Sequence, residues 1–388
     1  MMTQTTLISA LRTPTDVISA KAGIHLLPPA IAGGNKRGVI LDNLQCLPLF
    51  LFVTTLASLL LGCHGDPLMT AGEREPMDVG GVIASDTTWR AADSPFRIVD
   101  DLLIPDSVVW EVEAGTEIIV EWNRAIDVQG EARWYGTPNQ RITVRSDTGI
   151  WRGLEISGGQ QSILHDVDIM YAAVGVIIDS AAVEFLDCRF LYCDSAGIRS
   201  DAAMDISISG CEFVNSRTLN LLSPIAIRIA GGDFVSVLDC TIDGFGQGIH
   251  LQGNIALAAI EGNAISNCSI GIVCDIPDSV AILDNQFRGT DTGIIIRAGS
   301  PYLEGNNFVK QSETIRVEGN ATATAHYNAF EIGTGLSWTH YSALDADASH
   351  NWWGTANMDT IEALIFDQHD DSLAGLVEIE PILTSPNQ

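Results

Sequence analysis

Gly293-Ile-Ile-Ile-Arg-Ala-Gly-Ser-Pro-Tyr-Leu-Glu-Gly-Asn-Asn-Phe308 opens on glycine and an apolar run and closes on asparagine, one variable residue and phenylalanine. Both ends recur along the chain. Openings fall at Gly175, Gly197, Ala226, Gly248, Gly271, Gly293 and Thr314, at steps of 22, 29, 22, 23, 22 and 21 residues. The closing triplet is tighter: Cys188-Arg-Phe190, Cys211-Glu-Phe213, Cys240-Thr-Ile242, Asn263-Ala-Ile265, Asn285-Gln-Phe287, Asn306-Asn-Phe308, Asn328-Ala-Phe330 and Asn351-Trp-Trp353, with Val167-Asp-Ile169 beginning the series. A fixed period of this length marks a stacked-repeat architecture. Between the landmarks, Ser279-Val-Ala-Ile-Leu283 and Asp205-Ile-Ser-Ile208 alternate or run apolar, which is strand behaviour. Glycine-rich breaks every seven or eight residues leave no room for a crossover helix.

Three short strands per repeat, each paired with its copy in the next repeat, satisfy the backbone along three parallel sheets about 4.8 Å from copy to copy. Each Phe or Ile then stacks on its equivalents inside. Cys188, Cys211, Cys240, Asn263, Asn285, Asn306, Asn328 and Asn351 form a second internal ladder. Asparagine suits a tight turn because it tolerates left-handed backbone angles and its amide can bond the next copy. The pattern resembles the right-handed parallel β-helix repeat of the pectin-lyase-like superfamily over residues 96–384. The resemblance implies an all-β, single-stranded, three-sheet solenoid of about ten coils with a C-terminal cap. Residues 104–115, 126–130, 142–146 and 151–156 look like the opening coils of bacterial β-helix lipoproteins. The tail from Asn351-Trp-Trp-Gly354 through Pro381-Ile-Leu383 resembles their closing cap, with a short helix expected between Asp359 and Phe366. A cover is needed because a bare strand edge invites aggregation.

Ahead of the solenoid, Cys46 to Leu61 is apolar and uncharged, preceded by Lys36 and Arg37, as in a signal peptide. It ends in Leu60-Leu61-Gly62-Cys63, which resembles a lipobox and implies lipidation of Cys63. The expected division is a signal region over 1–62, a lipidated cysteine and flexible tether over 63–95, and the β-helix with its cap over 96–384. A signal peptide rarely starts so late, and an overcalled start codon is the expected explanation of residues 1–34. His64, rather than Asp, after the cysteine resembles the sorting signal for the outer membrane. Export to a bacterial outer membrane or cell surface, with the lipid as the membrane contact, is the expected location.

The formal net charge is −29 over 388 residues, and the part from Cys63 onward holds 16 basic against 47 acidic residues. That balance argues against nucleic acid as a partner and concentrates cations. A monomer is expected, with a polysaccharide or cell-envelope component as partner. Of the cysteines, Cys188, Cys211 and Cys240 should be stacked thiols, Cys268 and Cys274 flank one turn and leave pairing open, and Cys193 has no evident mate. No Cys-x-x-Cys spacing suggests zinc.

The superfamily resemblance implies a sugar-binding groove on the outer face of the strand that begins each repeat. Counting two residues on from each opening gives an outward row of Ile177, Arg199, Arg228, His250, Val273, Ile295 and Arg316. Four residues on gives Asp179, Asp201, Ala230, Gln252, Asp275, Arg297 and Glu318. Asp179, Arg199, Asp201, Arg228, His250, Gln252, Arg297 and Arg316 are thus the candidate ligand-binding face, a basic strip flanked by carboxylates that suits an acidic sugar chain through Arg–carboxylate pairs. Polar residues at outward strand positions are also what any solvated face carries.

Catalytic residues stay unassigned. The Asn-Thr-Asp, Asp-Asp, His-Gly and Arg-Ile-Lys blocks of polygalacturonase-like enzymes are absent in that arrangement, and Asp100-Asp101 and Asp370-Asp371 lie in the terminal regions. Asp179, Asp201 and Arg199 could mimic a calcium-dependent lyase site without the family's local motifs. Calcium is the one cofactor left open; no metal site is otherwise read from the spacing. Stacked acids one coil apart match the ~5 Å carboxylate spacing of retaining glycosidases, as any solenoid would. His165, His326, His340, His350 and His369 are scattered among repeat positions, and Trp352-Trp353 reads as core and cap packing before sugar stacking. The favoured function is non-catalytic binding of polysaccharide or a partner protein by a lipoprotein. A lyase or hydrolase acting on acidic glycans, and a structural stalk or adhesin, are the alternatives.

Overall fold

A computed structural model describes residues 74–158, 161–215, 223–276 and 279–386; the signal segment and Cys63 lie outside them. The described chain is an all-β parallel solenoid of about twelve turns. In one coil, strands Thr292–Ala298, Tyr302–Glu304 and Asn307–Val309 belong to a first, second and third sheet. Each pairs in parallel with its equivalent one coil on, as in Ile294↔Ile315, Leu303↔Ala325 and Phe308↔Phe330.

Alternation of buried and half-buried residues, as in Ala125–Val128 and Ile142–Arg145, turns one face of these strands inward. The inner column of the third sheet runs Ile169, Phe190, Phe213, Ile242, Ile265, Phe287, Phe308 and Phe330 in unbroken register. Its rings stack nearly parallel, 4.8 Å apart for Phe190–Phe213 and 4.7 Å for Phe287–Phe308. Trp353 closes the column 4.6 Å from Phe330. At the other end Trp89, Trp110 and Trp134 meet edge to face at 4.8 Å spacings.

The opening glycines are tied to these rings. A Cβ on Gly197 would sit 2.7 Å from Phe213 and 2.8 Å from the Ala226 carbonyl, and one on Gly271 would sit 2.7 Å from Phe287. Where the ring gives way to Ile242, the opening residue is Ala226. At Gly175, Gly197, Gly271 and Gly293 the repeat's two landmarks are therefore one packing unit, a close backbone approach beside an aromatic ring, whereas Thr314 opens the coil of Phe330.

The ladder is continuous and its chemistry is resolved. Asn285 Nδ2 donates to Asn306 Oδ1 at 3.0 Å and to the Ile260 carbonyl at 2.9 Å, and its backbone N–H donates to Asn306 Oδ1 at 3.0 Å. The same set repeats from Asn263 to Asn351, starting at the Cys240 N–H. The left-handed residue is the one before each ladder position: Asp239, Asp284, Tyr327 and His350 have φ of 52°, 52°, 56° and 58°, and Gly262 and Gly305 take the same place. The expected left-handed asparagine is thereby corrected. The asparagine's role is hydrogen bonding into the neighbouring coils, while its predecessor makes the turn.

Three further expectations change. The segment read as a tether is partly coil. Met77–Val82 pairs with the strand beginning at Phe96, and Thr87–Trp89 pairs with Trp110–Val112. Met77–Val82 is an edge strand, mostly exposed, so it carries no alternating apolar signature. This start, together with the strands of the tail, raises the number of turns above the expected ten. The strands are also longer than expected. Val174–Leu186, Ala196–Ser209, Ile225–Leu238 and Gln247–Glu261 each run through the corner between the first and second sheets. At the cap, helix α1 covers only Met358–Glu362, with Asn357 Oδ1 accepting the Thr360 N–H at 2.9 Å, and Ile365–Phe366 returns as a strand beside Trp338–Thr339.

Candidate functional site

The outer face of the first sheet stacks the row obtained by counting. Ile177, Arg199, Arg228, His250, Val273, Ile295 and Arg316 are successive register partners. Two of them do not reach solvent: Val273 is 0% and Ile295 2% exposed. The row is therefore interrupted, with Arg199, Arg228 and His250 on one side and Arg316 on the other.

The second row does not hold. Asp179 pairs with Ala202 rather than Asp201, and Asp275 with Ala298 rather than Arg297, because the register slips by one residue at both corners. Ala230, Gln252 and Asp275 do stack. The slips occur where the strand bends toward the second sheet, and a bulge re-aims side chains on the bent strand.

Every arginine of the strip meets a carboxylate. Asp201 lies between Arg199 Nε and Arg228 Nη1, 3.3 Å from each. Glu318 lies 3.2 Å from Arg297 Nε and 3.6 Å from Arg316 Nη1, and Arg316 also pairs with Glu313. The Glu313 hydrogen bond raises the Arg316 pKa further. The strip is thus charge-balanced rather than basic. His250 sits in its middle with both ring nitrogens buried and neither hydrogen-bonded. Burial pushes its pKa below the usual 6.5 against the pull of Asp275, aided by Arg228 and Arg297, so the ring is neutral at pH 7. The ring nitrogens do not reach solvent, so what the strip offers a polar ligand is its fixed guanidinium–carboxylate pairs, donors beside acceptors.

Counting from the openings missed the continuation of this face toward the N-terminus. Leu103, Asp127, Glu155 and Ile177 are register partners on the same row. With Asp101 and Arg152 they line a concavity of about 360 Å³. Arg152 reaches Asp101 at 2.5 Å, and Asp127 Oδ1 is buried without a hydrogen bond. The signal was present in Ile126-Asp-Val128 and Gly153-Leu-Glu-Ile156, where Gly153 stands one coil before Gly175, but the count began only at Gly175.

The cysteines of the ladder are buried thiols, as are Cys193, Cys268 and Cys274, so the open pairing of Cys268 with Cys274 is not made. Cys188 Sγ donates to the Leu164 carbonyl at 3.2 Å, the bond that an asparagine amide makes elsewhere in the ladder. Burial pushes the Cys193 and Cys274 thiols up to about 12.

His326 and His350, expected to stand apart, come within 5.8 Å ring to ring on successive coils. Ser349 Oγ lies 3.4 Å from His326 Nε2 and 3.0 Å from His350 Nδ1, and Asp347 lies 2.9 Å from the same His326 nitrogen. Serine and aspartate contact one nitrogen, so no proton relay passes through that ring. Of the tryptophan pair, Trp353 is fully buried, whereas Trp352 is half-buried and faces a surface concavity. Among the described residues no three His, Cys, Asp or Glu side chains converge as a metal site.

Residues 152–308 match a protein family described as a right handed beta helix region. No curated protein and no solved structure matches the chain. With parallel coils stacked along the described chain and that match across its centre, the protein is a right-handed parallel β-helix repeat protein.

Proposed function

We propose that this protein is a non-catalytic binding protein of the cell envelope, a pectin-lyase-like β-helix that holds a polysaccharide chain along the outer face of its first sheet. The observation that carries the reading is the alignment of Arg199, Arg228 and His250 on three consecutive coils, braced by Asp201. Side chains repeated at ~4.8 Å along a rigid rod present a periodic set of hydrogen-bonding groups to a periodic ligand. Because the guanidiniums are already paired, recognition rests on hydrogen bonds and shape rather than on net positive charge, and a uronate must compete with Asp201 and Glu318. The Leu60-Leu61-Gly62-Cys63 motif supports anchoring through a lipid on Cys63.

The test is glycan-array binding by the full-length chain in detergent, compared with Arg199→Ala/Arg228→Ala. A bound glycan whose affinity falls at least tenfold in the double variant supports the reading; unchanged binding removes this face as the site. Loss of the acyl mass on Cys63→Ala tests the anchor.

Asp127 and Glu155 favour a second reading, hydrolysis or lyase cleavage of a glycan at the N-terminal end of the same face. They stand one coil apart beside Arg152, and one Asp127 oxygen is buried without a partner. New reducing ends or unsaturated products from a glycan panel, abolished by Asp127→Asn, would select it over simple binding.

A further inference from the structure

The outer face of the third sheet carries a built depression near the C-terminal end. Three successive coils contribute to it, and its centre is a missing side chain. Asn307, Ala329 and Trp352 are register partners on one outward row. Two residues on, Val309, Glu331 and Gly354 occupy the neighbouring positions, and on the other flank stand Gly305 and Tyr327. Ala329 is the floor, with the Trp352 side chain one coil beyond it and the Asn307 amide one coil before. The concavity measures about 730 Å³ and Pro386 of the tail closes one edge. That volume lies within the ~300–1,000 Å³ of small-molecule sites.

Two backbone features keep it open. Tyr327 holds a left-handed conformation, φ 56°, between Gly305 and His350 at the same turn of adjacent coils. His350 lies 5.8 Å away ring to ring, whereas Gly305 has no side chain, so the Gly305 side of Tyr327 gives onto the depression. Gly354 is the second: a Cβ there would meet Ile332 at 2.7 Å and the Phe330 carbonyl at 3.0 Å. Tyr327 is 49% exposed, so its ring is available to a ligand.

We infer that this depression is a binding site for an uncharged oligosaccharide, distinct from the first-sheet strip and independent of what that strip binds. The C–H face of a pyranose ring packs on an indole or phenol, surfaces that offer apolar area with a polar edge. The Asn307 amide donates to and accepts from hydroxyls, and the Glu331 carboxylate accepts from them. Glu331 is the sole charged side chain lining the concavity, so uronates, phosphates and nucleic acid are repelled rather than drawn in. The trough is open across three coils, which suits an extended chain; a compact quaternary ammonium ion, the other ligand of aromatic–carboxylate sites, needs an enclosing cage.

The experiment titrates the full-length chain in detergent with cello-, manno-, xylo- and chitotetraose, followed by calorimetry and saturation-transfer NMR. Tetragalacturonate and tetramethylammonium serve as charged comparators. At least one neutral tetrasaccharide binds, and Trp352→Ala weakens it at least tenfold. Tyr327→Gly, which places at this turn the residue already used at position 305, weakens it as well without straining the backbone. Ala329→Leu fills the floor from the solvent side and abolishes binding while leaving the circular dichroism spectrum unchanged. Arg199→Ala/Arg228→Ala leaves this affinity intact, so failure of the strip proposal does not touch it. Absence of binding to all four neutral sugars overturns the inference. So does equal binding by wild type and Trp352→Ala, or binding of tetramethylammonium alone.

Discussion

Replacing Asn306 with alanine strips five hydrogen bonds from the middle of the ladder. Asn306 Oδ1 accepts from the backbone N–H and the side-chain amide of Asn285, each at 3.0 Å. Its Nδ2 donates to the carbonyls of Ile282 and Glu304 at 2.8 and 3.2 Å and to Asn328 Oδ1 at 2.9 Å. Both partner asparagines are fully buried, so water does not replace what is lost. In the variant the Asn285 N–H loses its acceptor and the Ile282 carbonyl its side-chain donor, while Asn328 Oδ1 keeps the Asn306 N–H at 2.9 Å. An orphaned buried group costs ~1–3 kcal/mol, so the unpaired Asn285 N–H together with a small cavity amounts to roughly 2–4 kcal/mol, the Ile282 carbonyl being left with its ladder partner across the Leu283↔Glu304 pair. Asn307→Ala, one residue along and exposed, should cost less than ~0.5 kcal/mol. Asn306→Cys should fall between the two, because a thiol can still donate to the preceding coil, as Cys188 does to Leu164, but accepts poorly. Urea unfolding of the three variants, with amide exchange at Asn285 as the local reporter, provides the measurement. A loss below ~1 kcal/mol for Asn306→Ala, or an unprotected Asn285 N–H in the wild type, would refute the account of the ladder as hydrogen-bonded rather than space-filling.

Three further outcomes are expected. Iodoacetamide at pH 8, read peptide by peptide in a mass spectrometer, should leave Cys188, Cys193, Cys211, Cys240, Cys268 and Cys274 unmodified until denaturant is added, since all are buried and burial raises Cys193 and Cys274 to about 12. Gly197→Ala should destabilise by ~1–3 kcal/mol in thermal or urea unfolding, because the added methyl meets Phe213 and the Ala226 carbonyl at 2.7 and 2.8 Å; pairing it with Phe213→Ile should recover part of the loss. The C-terminal coils should loosen first in acid. Burial works to raise the Asp367 and Asp347 carboxyls, but backbone N–H groups of His369 and Val377, and of Ser349, outweigh it and hold both below the usual 3.8. A depressed folded-state pKa contributes stability that is complete above the unfolded value and is lost as pH falls through the folded one. Protection of the Val377 and Ser349 amides, corrected for intrinsic exchange, should therefore fall below about pH 4, and Asp367→Asn should remove that pH dependence at Val377.

The legibility of this chain follows its periodicity. The Phe190–Phe213 and Phe287–Phe308 columns, the ladder and the Arg199–Arg228–His250 row could all be counted from the openings, because a parallel coil places residue i of one repeat over its equivalent in the next. The count failed at Asp179 and Asp275, where the corner bulges insert a step that no residue type announces. It failed again at Met77–Val82, an edge strand that buries almost nothing and so needs no pattern. Asp127 and Glu155 lie on the same row yet went unread, since the count started at Gly175 although Gly153 opens the coil before it.

What periodic sequence alone determined was translation along the rod: which residues share a column, which face is core, and where hydrogen-bonded asparagines replace thiols. Tertiary structure decided what happens between columns. Asp201 and Glu318 neutralise the arginines because their carboxylates reach across coils, and the depression around Ala329 exists because small and large residues of three coils happen to adjoin. Stacking is set by a repeat length that any reader of the chain can measure; lateral contacts depend on side-chain reach, corner geometry and burial, which arise only once the coils are wound.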